Sequence, residues 1–213
     1  MPELELVIGS KNWSSWSLRP WLLLRELHIP FKETLIPLRR PDTAAMIAPR
    51  SPSGWVPVLH VDGQPVWDSL SIAEFIAELD QRAWPEARMA RAHARSISAE
   101  MHSGFGTLRK LMPMAFAERI QPDAETLAAV APNVARIDAI WTDCRARYAG
   151  DGPFLFGRFS AADAMWAPVV SRFTTYGVVL SPPAEAYRDM MMALPGMLAW
   201  AEAARAELEA GHA

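Results

Sequence analysis

Short apolar runs alternate with stretches of helical spacing over residues 1–80. LELVI at 4–8 has the length and composition of a strand. From Ser14 to Leu27, Leu18, Trp21 and Leu22 recur at helical intervals. They predict a helix whose Pro20 must sit in the first turn, where a missing N–H is tolerated. FKETLIPL at 31–38 reads as a second strand. VPVLHV at 56–61 and PVWD at 65–68 flank Asp62-Gly63, a hairpin signal. SLSIAEFIAEL at 69–79 places Ile72, Ala73, Phe75, Ile76 and Leu79 on one helical face, and the polar pair Asp80-Gln81 marks its end. The order is β-α-β, an irregular stretch, then β-β-α. It predicts a parallel strand pair with a right-handed crossover, completed by a hairpin and a helix into a small α/β layer.

No strand pattern follows Asp80. Trp84-Pro85 falls in an expected linker at 81–87, between an α/β domain at 1–80 and an all-helical domain at 88–213. Residues 86–120 have helical periodicity that Pro113 should kink or break. Pro122 is expected to open a helix running to about Tyr148, and GDGP at 150–153 to break the chain. A third helix is expected from Ser160 to Tyr176, and one or two more over 183–210, interrupted at Pro195.

Composition narrows the function classes. The chain is 51% hydrophobic and 21% charged with a net charge of −3, which gives no bulk electrostatic case for nucleic acid or an anionic membrane. No apolar run approaches the ~20 residues that span a bilayer. MPELELVIGS lacks the basic and apolar regions of a signal peptide, so a cytoplasmic location is expected. The single cysteine, Cys144, excludes an intramolecular disulfide. The five histidines show no metal-ligand spacing, and no metal is expected.

Four segments can carry chemistry. WSSWSLRP at 13–20 puts hydroxyls between a strand and a helix start. Each of Ser14, Ser15 and Ser17 serves there as an N-cap, but a hydroxyl at a helix N-terminus also donates to an anion such as a thiolate. In GWVPVLHVDG at 54–63, a cis Val56-Pro57 would leave the Val56 N–H and C=O free to pair with an extended peptide; an ordinary trans strand start is the alternative. Asp68-Ser69 is an N-cap in form. It also suits an α-amino acid end, with Ser69 on the carboxylate and Asp68 on the ammonium. Ser160-x-x-Asp163 in GRFSAADAMWAP is a capping box that should nucleate a buried helix through Met165, Trp166, Val169 and Val170.

In this order and spacing, WSSWSLRPWLLL, VPVLHVDGQPVWDSLSIAEFIAELD and GRFSAADAMWAP resemble the cytosolic glutathione S-transferases over nearly the whole chain. The first block and HSGFGTLRKL at 102–111 look most like the zeta class. The resemblance implies a thioredoxin-like α/β N-terminal domain, an all-α C-terminal domain and a homodimer. It implies glutathione as co-substrate, with Val56 and Pro57 on its cysteinyl backbone and Asp68 and Ser69 on its γ-glutamyl end. Ser14 matches the zeta catalytic hydroxyl, while counting back from Arg19 as in the delta and theta classes selects Ser15. Trp16, Arg40 and Trp55 are further glutathione-contact candidates. Trp16 stands where the zeta class has cysteine, which argues against a mixed-disulfide reductase. Gly54 and Trp55 replace the usual Lys and Gln, leaving Arg39 and Arg40 as substitutes for the glycyl carboxylate.

The expected activity is conjugation of glutathione to a small apolar electrophile. The second substrate is expected near Met101, Phe105, Leu108, Arg109 and Met112 on the first long helix, a spacing that more often marks a core face. The alternative is zeta-type cis-trans isomerisation of a maleyl-type diacid, with Arg109 and Arg172 as candidate cations. Against it, Arg172 falls one turn before the arginine that zeta enzymes use, where this chain has Thr175. A non-enzymatic protein of the same fold is a third reading.

Overall fold

The computed structural model describes residues 2–211. In chain order the first elements are β1 (Leu4–Gly9), α1 (Ser15–Glu26), β2 (Lys32–Ile36), α2 (Thr43–Ile47), β3 (Val58–Val61), β4 (Gln64–Val66) and α3 (Ser69–Leu79). The helical half follows: α4 (Arg88–Ser103), α5 (Gly106–Leu111), α6 (Ala124–Tyr148), α7 (Ala161–Thr175), α8 (Pro182–Met192) and α9 (Pro195–Glu209). The strand order is β2-β1-β3-β4, with β1 parallel to β2 and both other pairs antiparallel. This is the thioredoxin-like layer with an all-helical partner that the sequence pattern and the resemblance imply.

Strand alternation divides the core between the two faces of the sheet. Leu4, Leu6 and Ile8 join Leu18, Leu22, Ile72 and Ile76 in the main core. Val7 turns the other way and packs with Ile36, Val58 and Ile47 of α2. The short α2 lies in the stretch read as irregular. Its five residues carry too little apolar periodicity to register, and Ile47 is its only buried side chain. Asp62 and Gly63 form the expected hairpin turn, with φ of 47° and 82°.

Three prolines lie inside helices: Pro20 in α1, Pro132 in α6 and Pro168 in α7. The expectation that Pro20 sits in a first turn is corrected. It is the sixth residue of α1, and the helix continues because Leu18, Trp21, Leu22, Leu23 and Leu24 are all buried around it. Burial of that apolar face, worth ~1.5–3 kcal/mol per large side chain, offsets one lost backbone hydrogen bond. α6 starts at Ala124 rather than Pro122, because the Asp123 carboxylate accepts the Thr126 N–H at 2.7 Å.

α7 runs through the centre of the helical half, with 14 of its 15 residues buried. Its start is fixed by Asp163. That fully buried carboxylate accepts from the Ser160 N–H at 2.9 Å, the Ser160 hydroxyl at 3.1 Å, the Leu155 N–H at 3.0 Å and the Tyr187 hydroxyl at 3.1 Å. The two halves are joined by polar ties as well as core packing. Asn12 accepts the Ala117 N–H at 2.9 Å, and the Trp200 indole donates to the Lys11 carbonyl at 2.8 Å.

Candidate functional site

Three chain segments meet at one end of the sheet because of its register. β1 runs toward Gly9 and then enters the turn before α1. β3 is antiparallel to it, with Val58 opposite Val7, so Val56-Pro57 comes in beside the end of β1. β4 leaves β3 with Val66 opposite Leu59, which brings Asp68-Ser69 to the same end. The starts of α1 and α3 and the Val56 turn therefore surround one space.

At the start of α1 the donors are partly spent. Ser14 holds the N-cap position without a side-chain bond to the first-turn N–H groups; its hydroxyl donates instead to the Ser17 oxygen at 2.7 Å, which also accepts the Gly9 N–H at 3.1 Å. Among the described residues the Ser15 hydroxyl has no such partner, and although the residue is only 7% exposed its oxygen is not fully enclosed. Among the described residues, no acceptor faces the N–H of Trp16 or of Ser17. Open first-turn N–H groups and a free hydroxyl are the parts of an anion site.

The Val56-Pro57 bond is cis. Neither the N–H nor the C=O of Val56 has a partner among the described residues, so an extended backbone can pair with both. Trp55 beside it is 76% exposed. Asp68 caps α3 through the Leu70 N–H at 3.0 Å and remains half-exposed. Ser69, expected to hold a ligand carboxylate through its hydroxyl and N–H, is closed off here. It is fully enclosed, with its oxygen 3.4 Å from Nη1 of Arg19.

Arg19 is the residue that sequence reasoning passed over, using it only to count from. It is 1% exposed, its Nε and Nη2 have no partner among the described residues, and its guanidinium lies 4.0 Å over the Trp16 ring. Burial pulls its pKa down to about 9, helped by repulsion from Arg172 and Arg109 and opposed by Asp68. Arg172 is pulled down to about 10 by burial and by Arg109. Its Nε donates to the Met112 carbonyl at 2.9 Å and its Nη1 to the Pro168 carbonyl at 3.1 Å, which leaves Nη2 unpartnered. Arg109 binds the Gly104 carbonyl and lies 5.8 Å from the Trp16 ring. Arg19 and Arg109 thus flank the Trp16 ring, Arg172 adds positive charge beside Arg19, and the Asp68 carboxylate offsets part of it. The signal for Arg19 was a charged residue inside the apolar run LRPWLLL.

His102 was the other omission. It stands on α4, with Nε2 3.0 Å from the Asp68 carboxylate and its ring edge-on to Trp16 at 5.2 Å. Nothing in its sequence neighbourhood announces a partner 34 residues away; the pairing exists only once α4 packs against α3.

The second-substrate candidates divide. Met101, Leu108 and Met112 are fully buried, and Phe105 packs against Trp166 at 5.7 Å, so these four belong to the core. The sequence spacing places these residues on one long helix, with a core face as the commoner reading. The chain instead turns at Gly104-Phe105, with Phe105 at φ 58°, and α5 folds its apolar side inward. Arg109 is the one candidate of this set that borders the site. Arg40 donates to the Gly211 carbonyl at 3.3 Å, while Arg39 stacks at 4.0 Å over Trp13 in the turn before α1. A cavity of about 1040 Å³ lies elsewhere, between α6 and segment 176–181, and none of the candidate site residues lines it. Among the described residues, no cluster could hold a metal ion and no helix is long and apolar enough to cross a membrane.

Comparison with known proteins gives the family and the fold. Residues 13–79 match the glutathione S-transferase N-terminal domain, and residues 124–203 match the glutathione S-transferase C-terminal domain. A probable maleylacetoacetate isomerase of Caenorhabditis elegans is 32% identical over 99 residues, which is 46% of this chain and 45% of that protein. The match thus spans less than half the length of that relative. Among solved structures, a glutathione transferase homologue from Burkholderia with bound glutathione superposes with a TM-score of 0.69 at 21% identity, covering 97% of this chain and 99% of that one. An epsilon-class glutathione S-transferase from the housefly, Musca domestica, gives 0.72 at 18% identity and covers 98% of both chains.

Proposed function

Because the chain belongs to the glutathione S-transferase family, we propose that it binds glutathione at the shared end of β1, β3 and β4 and transfers its thiolate to a small electrophile. The observation that carries this reading is the convergence of two helix starts. Arg19 and His102 hold the N-termini of α1 and α3 together, and each start still has groups to offer a ligand.

In this reading Val56 pairs with the cysteinyl backbone through its free N–H and C=O. Asp68 accepts from the γ-glutamyl ammonium. The γ-glutamyl carboxylate goes to the start of α3, where Arg19 adds positive charge behind Ser69. Ser69 is enclosed, so contact with it needs a side-chain movement beside Asp68. The sulfur then faces the start of α1. A free thiol has a pKa of about 8.5 and is mostly protonated at neutral pH. A hydroxyl donor and open first-turn N–H groups favour the thiolate. The proton leaves to solvent, the sulfur lone pair attacks the electrophilic carbon, and the leaving group departs with its bonding electrons.

Between the two serines, the geometry favours Ser15, because the Ser14 proton is already committed to Ser17. One charge-assisted hydrogen bond contributes roughly 1.5–3 kcal/mol, or about one to two pKa units. Ser15→Ala is expected to raise the pKa of bound glutathione by about one unit, and Ser14→Ala to change it much less. Titration of thiolate absorbance in both variants checks this. An unchanged titration in both would remove the serines from the mechanism.

The three arginines favour a second reading, a glutathione-dependent isomerase acting on a substrate with carboxylates. Arg172 is held by two carbonyls with Nη2 to spare, and Arg109 stands next to it. Under the lead reading, chloro-dinitrobenzene is conjugated and maleylacetone turns over slowly. Rapid glutathione-dependent isomerisation of maleylacetone would put the isomerase reading first.

A further inference from the structure

We propose that His102 is a positioning residue for glutathione: acting through Asp68, it presents the carboxylate to the γ-glutamyl ammonium. This rests on the reading of Asp68 given above. Asp68 is half-exposed, and its bond to the Leu70 N–H engages only Oδ1. That single bond leaves the carboxylate free to swing about it. His102 supplies the second point at Oδ2, 3.0 Å away. With both oxygens engaged, the carboxylate plane is fixed, and its remaining lone pairs stay open to the cleft.

The ring itself is held on two sides. Its edge meets Trp16 at 5.2 Å and 79°, and Nδ1 is enclosed without a partner. An N–H at Nδ1 would be a buried, unpaired donor, so the neutral ring carries its proton on Nε2, the nitrogen that lies 3.0 Å from Asp68 Oδ2. The Nε2 contact orients Asp68 through one oxygen and leaves the other lone pairs for the ligand. Trp16 in turn lies against Arg19, the cation nearest to Ser69. The α-amino acid receptor is therefore assembled from both halves of the chain, with α4 supplying a residue that touches no ligand itself.

The test uses the full chain with His102→Leu and His102→Gln. The Gln side-chain amide can reach Asp68 as a donor; Leu cannot. For His102→Leu the KM for glutathione is expected to rise about tenfold, equivalent to about 1.4 kcal/mol, with kcat nearly unchanged. His102→Gln should recover most of that loss. A glutathione analogue lacking the α-amino group should bind the wild type more weakly and lose nothing further in His102→Leu. Equal losses for glutathione and the analogue, or an unchanged KM in His102→Leu, would overturn the proposal. If His102→Leu does not fold, His102→Phe, which keeps an aromatic ring against Trp16 but has no donor, is read with the same pair of ligands, and equal losses or no loss there overturn the proposal. A wild type that binds neither ligand would overturn the reading of the site itself, and this proposal with it.

Discussion

Asp68→Ala is expected to weaken glutathione binding by about 30- to 150-fold, the largest loss from any single change at the site. Truncating one partner of a hydrogen-bonded charge pair costs about 2–5 kcal/mol when the pair is desolvated. Asp68 is half-exposed, so the lower part of that range applies. The variant also loses the N-cap of α3, at a cost of about 1 kcal/mol in stability. Asp68→Asn separates the two effects. Its side-chain oxygen still caps the Leu70 N–H, while the charge that attracts the ammonium is gone. Calorimetric titration with glutathione should therefore show reduced affinity in both variants, and thermal melts should show lost stability mainly in Asp68→Ala. If Asp68→Ala keeps wild-type affinity, the γ-glutamyl end lies elsewhere.

The parts of this site that were legible in the sequence are those encoded locally. Asp62-Gly63 specifies a turn whatever surrounds it, and the face of Ile72, Ala73 and Ile76 specifies α3 to its observed ends, Ser69 and Leu79. Asp68 caps α3 as its residue type suggests. The rest depends on contacts between distant segments. Whether Ser14 or Ser15 is free is decided by Ser17 and Gly9, which lock the first hydroxyl. Arg19 stands in a run whose other members are core residues, and only the packing of Trp16 above it and Ser69 beside it turns a buried charge into part of a site. Residues 101–112 misled because their spacing is helical while the backbone turns at Phe105. A left-handed residue other than glycine leaves no mark in composition.

Asp163→Ala is expected to destabilise the protein by about 3–5 kcal/mol, a large share of the ~5–15 kcal/mol available to a typical domain. Four donors from three segments converge on this carboxylate, and alanine would leave the Leu155 and Ser160 N–H groups and the Tyr187 hydroxyl buried without an acceptor. Asp163→Asn keeps one acceptor oxygen but turns amide hydrogens toward some of the same donors, so it should fall between. The pH dependence separates charge from shape. Burial pushes the Asp163 carboxyl from 3.8 up to about 6, against hydrogen bonds from Leu155, Ser160 and Tyr187 that favour the ionised form. A folded-state pKa above the unfolded one means that the native state binds the proton more tightly. The resulting stabilisation is complete below 3.8 and is lost as pH rises through about 6. Asn does not titrate, so the wild type should lose stability relative to Asp163→Asn over that interval. Urea denaturation of both proteins at about pH 4 and pH 7 measures the difference. A wild-type advantage that grows with pH would mean that the four hydrogen bonds outweigh desolvation and hold the carboxyl below its unfolded value.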